Sequence, residues 1–535
     1  MVTRAGYYSL ANSRAISHAS GPARENLPMR NLTLPSMNVL LLSIVLLHLP
    51  VRILQAQEAP WQVFQPARLP QDSRWKPFHL DQPSPFQPAY RTSAEWEKRA
   101  AALRLQLKIA LGLHPMPEKT PLQAVIHGKR DMGDYTVEKV YFASFPGHYV
   151  CGNLYRPQGK AGRLPVVLNP HGHFAEGRFT RESDAVVQRD LESKAEEREA
   201  GARFPLQAAA VGLCRLGCIV FHYDMVGYAD AAQPIPHMVG FNALPAELRL
   251  QSFFGLQTWN SIRALDFVCE LPDADTSRIG VTGASGGGEP TFFFSAADPP
   301  VDPRPTVSFP AVMVSGNMQG GCICENASLV RLGTNNIEIA ALFAPKPQAM
   351  TGANDWTRDI ETKGLPELRQ IYSLYQAADL VDARYYPFPH NYNQVSREML
   401  YRWFNQHLSL GNTGELRERE FTPLSAAELS VFDEEHPRPK DWLTPSELQS
   451  ALQQASDRQI FEKHRDAPEA LAALQREVLP VLCGVQLPTR GTTKAHQLGF
   501  VKNAEYDLWK GTQTSTSGGE EIPLIALVPP KPRQT

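Results

Sequence analysis

At 535 residues, with 43% apolar and 20% charged, the chain is too long for one hydrophobic core and has an ordinary globular composition. Its 53 Lys and Arg face 55 Asp and Glu, a formal net charge of −2. That balance argues against a nucleic-acid or anionic-membrane partner, since both select a basic excess.

The elements in chain order begin outside the fold. Residues 1–56 are expected to be an N-terminal extension ending in a signal peptide. The run NVLLLSIVLLHL (38–49) follows Arg30 and precedes Leu54-Gln55-Ala56, a small-residue cleavage site. A bilayer span needs about 20 apolar residues, so this run points to export, periplasmic or extracellular, with no stable membrane span after cleavage. Met29 and Met37 are alternative starts. A Pro-rich linker, 57–91, leads to an amphipathic helix over 93–113, opened by Ser93.

Two β-rich runs, Tyr135–Phe142 and Tyr149–Tyr155, are joined by Pro146-Gly147 and predict a hairpin. Short buried strands are expected at Leu164–Leu168, Gly217–Tyr223, Arg278–Thr282, Pro305–Val314, Ala344–Gly352 and Ala383–Phe388, with a helix over Leu250–Cys269. Strands alternating with helices predict a mostly parallel sheet with helices on both faces. A charged insert, 176–203, lies over the edge of the sheet where substrate would enter; it reads as a lid, a binding wall or a solvated helix.

The stretch RIGVTGASGGG (278–288) carries the chemistry. A strand running into G-x-S-x-G and then a helix is a nucleophile elbow, with Ser285 on a turn so tight that Gly283 and Gly287 must lack side chains. The competing reading, a phosphate-binding loop, lacks G-K-[ST] and the G-x-G-x-x-G pattern. A serine needs a base and an orienting acid, placed later in the chain at strand ends. Asp355 in AMTGANDWT and His390 in YYPFPHNYN stand there, with Asp359 and Asp382 as weaker acids. The motif LNPHGHF (168–174) follows an earlier strand, so the backbone N–H of His173 joins that of Gly286 as oxyanion donor.

A metal reading competes at the same motif. His171 and His173 present two imidazoles from one strand end, with Asp224 as a third ligand. Among seven cysteines, Cys214 and Cys218 read as core. Cys322-Ile323-Cys324 suggests a metal pair, but no second Cys or His pair sits at a zinc-like spacing, so a structural role is expected, with a disulfide to a distant partner as a further reading. His171, Glu289, Cys322, Cys324 and Trp356, within a rim that includes 318–326, are expected around the substrate.

Residues from about 90 to 410 resemble the α/β-hydrolase superfamily, specifically secreted bacterial acetyl xylan esterase and dienelactone hydrolase-like proteins. The lines LYRP, NPHGH, YDMVGYAD, RIGVTGASGGG, MQGGCICEN, LFAPKPQAMTGANDWT and HNYNQVSREMLYRWF carry the likeness. The resemblance implies a serine ester hydrolase acting on a small-molecule or carbohydrate ester, without metal or organic cofactor. It gives Ser285 as nucleophile, His390 as base, Asp355 as acid, and Gly286 and His173 as backbone donors. A prolyl oligopeptidase-like peptidase, a metal-dependent hydrolase and a non-catalytic relict are the alternatives. A catalytic domain is thus expected over 92–410 and a linker with helices over 411–460. The remainder, 461–535, echoes the start of the catalytic domain at a spacing of about 370 residues, as a helix plus hairpin of an incomplete second unit.

Overall fold

The computed structural model describes residues 61–64, 88–296, 305–316, 320–462, 464–484, 491–515 and 520–529. The expected extension and signal peptide, and most of the linker, lie outside the described residues. Among the described residues no helix is long and apolar enough to cross a membrane.

The chain divides into two compact units. The larger, residues 70–495 with 513–522, contains nine strands. In chain order these are β1 (Val125–Asp131), β2 (Tyr135–Phe145), β3 (His148–Pro157), β4 (Leu164–Pro170), β5 (Ile219–Tyr223), β6 (Ala274–Ala284), β7 (Val307–Ala311), β8 (Gln348–Gly352) and β9 (Val381–Tyr385). They lie side by side in the order β1-β2-β3-β5-β4-β6-β7-β8-β9. The first three pair antiparallel and β3 meets β5 antiparallel; from β5 to β9 every pair is parallel. Strands β5, β7 and β8 are buried along their whole length, as strands covered on both faces must be. Two large apolar clusters include, on one side, Phe142, Phe221, Phe267 and Phe293, and on the other Val220, Phe309, Leu400 and Phe404. This is the α/β-hydrolase fold.

The expected strands appear with edges shifted by a few residues, and β1 is an addition. Its sequence VIHGKRD carries three charges and is mostly exposed, which hides it from hydrophobic patterning. The insert 176–203 is solvated on one side only, its helix Asp184–Glu192 burying Val187 and Asp190. Arg178 is fully buried, bonded to Asp224, Asp230 and Asn153, and Glu196 is bonded to the buried Arg397. Arg178, Asp190 and Glu196 are buried with partners while most of the insert's other charges stay exposed, so one side of the insert packs on the fold.

Residues 411–460, expected as a linker, pack on this unit. Leu424, Leu429, Val431, Trp442 and Leu448 are buried, and the Leu429 carbonyl accepts hydrogen bonds from Asn153 and Arg178. The smaller unit, residues 1–69, 496–512 and 523–535, holds most of a three-stranded sheet, β10 (Thr493–Lys502), β11 (Asp507–Ser515) and β12 (Glu521–Val528). The expected tail hairpin therefore carries a third strand.

Candidate active site

Ser285 follows β6 directly, in a left-handed conformation with φ +57° that a non-glycine residue adopts only under local constraint. The constraint is the close approach of β4. A Cβ on Gly283 or Gly287 would come within 2.4 Å of the Pro170 carbonyl oxygen, so neither position admits a side chain. The helix Gly288–Ala296 follows the turn. Gly172 presses on the same turn: its Cβ would lie 2.9 Å from the Gly286 nitrogen and 3.0 Å from the Ser285 Cβ. The β4 loop and the elbow thus bring the backbone of 172–173 beside that of 286. The His173 ring also crowds the elbow, 2.8 Å from where a Gly286 Cβ would stand.

Asp355 and His390 follow β8 and β9, as the fold requires. His390 Nδ1 and Asp355 Oδ2 are 2.5 Å apart. The other carboxylate oxygen accepts from the Thr357 N–H and hydroxyl at 2.7 and 2.6 Å. Burial works to raise the Asp355 carboxyl, but hydrogen bonds from His390 and Thr357 outweigh it and hold the group below the usual carboxylate range. His390 Nε2 is buried with no hydrogen-bond partner among the described residues. The loop carrying His390 is tied to the nucleophile strand, because the Tyr392 hydroxyl bonds Thr282 Oγ1 at 3.0 Å. Trp356 packs its ring on His390, centroids 4.8 Å apart. Asp359 and Asp382 pair instead with Lys363 and with Arg369 and Arg384.

His171 and His173 part company. His171 is buried, its Nδ1 bonded to the Gly172 carbonyl and its Nε2 accepting the Met225 N–H at 3.1 Å. Burial drives it well below the ordinary histidine value, so it is neutral with both nitrogens used. Asp224 is committed to Arg178. The expected metal set of His171, His173 and Asp224 is therefore not formed, and His171 does not reach a substrate rim.

Glu289 is also no rim residue. It is fully buried under the elbow and paired with Arg331, which in turn bonds the Glu325 carbonyl and Asn326. Its charge is matched by an arginine 42 residues away, out of reach of a local reading. Of the remaining rim expectations, Trp356 lies on His390, while Cys322 and Cys324 gather beside His173 and His237. Residues 318 and 319 of the expected rim lie outside the described residues. His237 was not singled out in the sequence, and Glu325 only as part of the 318–326 rim. His237 carries no motif, whereas Glu325 directly follows Cys324 and was open to notice. A cavity of about 400 Å³ lies elsewhere, lined by Leu113, Phe241, Trp259, Leu452 and Ile460 among others, and includes none of Ser285, Asp355 and His390.

No protein-family model matches the chain, and no curated protein matches it. Solved structures do. A methylesterase is similar at 26% identity and a TM-score of 0.54, over 68% of this chain and 75% of that one. A glucuronoyl esterase from Solibacter usitatus has 14% identity and a TM-score of 0.42, over 63% and 100% of the two chains. An acetyl xylan esterase from Paenibacillus sp. R4 has 18% identity and a TM-score of 0.37, over 61% and 98%. The first of these carries the fold comparison. The chain has the fold of the α/β-hydrolase superfamily and resembles esterases within it.

Proposed function

We propose that the chain is an exported serine ester hydrolase acting on a carbohydrate ester through a Ser285–His390–Asp355 triad. The observation that carries the reading is the Asp355–His390 bond, held by Tyr392 against the strand that delivers Ser285, with His390 Nε2 left to accept a proton. Ser285 attacks the ester carbonyl as His390 takes its proton; Asp355 keeps Nδ1 protonated and steadies the imidazolium. The backbone N–H groups of Gly286 and His173 stabilise the tetrahedral oxyanion, each such donor supplying about 10²–10³ in rate. His390 returns the proton to the leaving alcohol, and water releases the acyl group from Ser285 by the reverse sequence.

An acetylated sugar is one substrate class for this machinery. The likeness to a methylesterase favours a second, a methyl ester on a carbohydrate carboxylate. The chemistry at Ser285 is the same, and the two differ only in whether the sugar lies on the alcohol or the acyl side of the ester. Comparing kcat/KM on acetylated sugars and on uronate methyl esters decides between them. Failure to hydrolyse either, with the chain folded, contradicts the reading.

The catalytic unit of this proposal runs from residue 92 to beyond 410, through the packed segment that ends near Asp457. The region 468–528 repeats the order of its start. Helix Ser93–Ala110 precedes β1, β2 and β3, and helix Pro468–Cys483 precedes β10, β11 and β12. That shared order is the likeness on which a second, hydrolase-like unit is proposed.

A further inference from the structure

Cys322 and Cys324 lacked partners at a zinc-like spacing in the sequence, yet folding supplies two. The ligand atoms of His173, His237, Cys322 and Cys324 all lie within 4.8 Å of one another. His173 Nε2 is 2.9 Å from Cys324 Sγ, and His237 Nε2 is 3.3 Å from Cys322 Sγ. Zn–S and Zn–N bonds of about 2.3 and 2.0 Å at the tetrahedral angle place neighbouring ligand atoms about 3.5 Å apart. The His237–Cys322 pair is close to that figure and the His173–Cys324 pair is somewhat shorter, a small spreading away from a tetrahedral site.

The surroundings match as well. A metal-bound imidazole needs its other ring nitrogen to donate outward, which sets the tautomer and aims the lone pair. Here His173 Nδ1 is 3.2 Å from Glu325 Oε1, and His237 Nδ1 is 3.0 Å from the Val226 carbonyl. Both histidines thus direct Nε2 at the thiols. Glu325 is itself fixed, accepting the N–H groups of Gly321 and Cys322 at 2.7 and 3.2 Å. Tyr228 and Phe253 wall the cluster, their rings 4.6 and 5.3 Å from that of His237. Two thiolates and two imidazoles form a soft donor set that prefers zinc to calcium or magnesium.

We propose that His173, His237, Cys322 and Cys324 form a tetrahedral zinc site beside the nucleophile elbow. Four protein ligands close the coordination sphere, so the ion is structural and takes no substrate. Each thiol gives up its proton as the metal binds. The ion clamps three separate segments: the β4 loop, the loop after β5 and the 322–325 turn. Because His173 is one ligand, the site also sets the backbone that is proposed to serve as oxyanion donor.

The test uses the full chain, reduced and stripped with chelator, then titrated with Zn²⁺ alone and separately with Co²⁺. One equivalent of zinc per chain, a raised thermal midpoint, and a thiolate-to-cobalt charge-transfer band are expected. Cys322→Ser removes the Cys322 thiolate's share of that band and weakens cobalt binding. Glu325→Gln, which reaches the metal only through His173, lowers zinc affinity about 10- to 100-fold in chelator competition. Should Cys322→Ser not fold, His237→Ala reads the loss of metal affinity while keeping both thiols. Uptake well below one equivalent, a cobalt spectrum without the charge-transfer band, or unchanged affinity in a folded His237→Ala or Cys322→Ser chain overturns the site. Each readout is of metal binding, so none depends on the esterase reading.

Discussion

A serine hydroxyl is a weak nucleophile until a base stands ready for its proton. Ser285 sits at the strained φ of +57°, and His390 has one nitrogen bonded and one open. Ser285→Ala and His390→Ala are each expected to lower kcat about 10⁴-fold or more while leaving the thermal midpoint close to that of the parent. Neither side chain contributes a core contact, so matched loss of folding in both would contradict this. Replacing His173 with Ala keeps its backbone N–H and costs far less than either, provided zinc is absent from both samples being compared.

Buried histidines give the strands a pH signature. His222, in β5, is fully buried, with Nδ1 bonded to the Asn169 carbonyl at 2.7 Å and Nε2 without a partner among the described residues. Burial pushes it down from 6.5 to about 4. Between those values the unfolded chain takes up a proton that the folded chain refuses, so stability falls as pH drops through that window. The full effect is about 3 kcal/mol, at 1.36 kcal/mol per pH unit. His222→Gln is expected to flatten this acid slope in denaturant titrations. Comparison with the parent cancels Asp224 and Glu196, which burial raises to about 7 and which act with opposite sign. An unchanged slope would mean that His222 titrates normally.

The helix Gln394–His407, which follows the His390 loop, is anchored by Arg397. This guanidinium, with no exposed surface, bonds Glu196 of the insert and Glu418 of the following segment. Arg397→Ala strands two buried carboxylates and is expected to cost about 3–5 kcal/mol in denaturant unfolding. A change under 1 kcal/mol would show that water replaces the arginine there.

At the scale of the whole molecule, ending the chain near residue 420 removes, from the segment packed on the nine-stranded sheet's unit, the buried side chains Leu424, Leu429, Val431, Trp442 and Leu448. At about 1.5–3 kcal/mol for each large apolar side chain, the loss rivals the 5–15 kcal/mol stability of a typical domain. That truncation is expected to abolish cooperative thermal unfolding, whereas ending the chain after Glu462 preserves it. The helix Pro468–Cys483 buries no residue, which is why the second cut is the mild one.

The sequence made legible whatever is written locally. Ser285, Asp355, His390 and the 171–173 loop each follow a short buried strand, and strand-then-loop patterns survive in a single line of residues. Contacts between distant segments leave no such trace. Leu429 meets Asn153 across 276 residues, and His237 meets Cys322 across 85. The same distance hid the pairing of Glu289 with Arg331 and made 411–460 resemble a linker.

The most direct test of the central claim is mass spectrometry of the intact, folded chain after exposure to a fluorophosphonate, which bonds only an activated serine. The account predicts one adduct per chain, located to the peptide bearing Ser285, absent in Ser285→Ala and strongly slowed in His390→Ala, with ester hydrolysis falling in step with labelling. No adduct at Ser285, or undiminished hydrolysis by fully labelled protein, would contradict it.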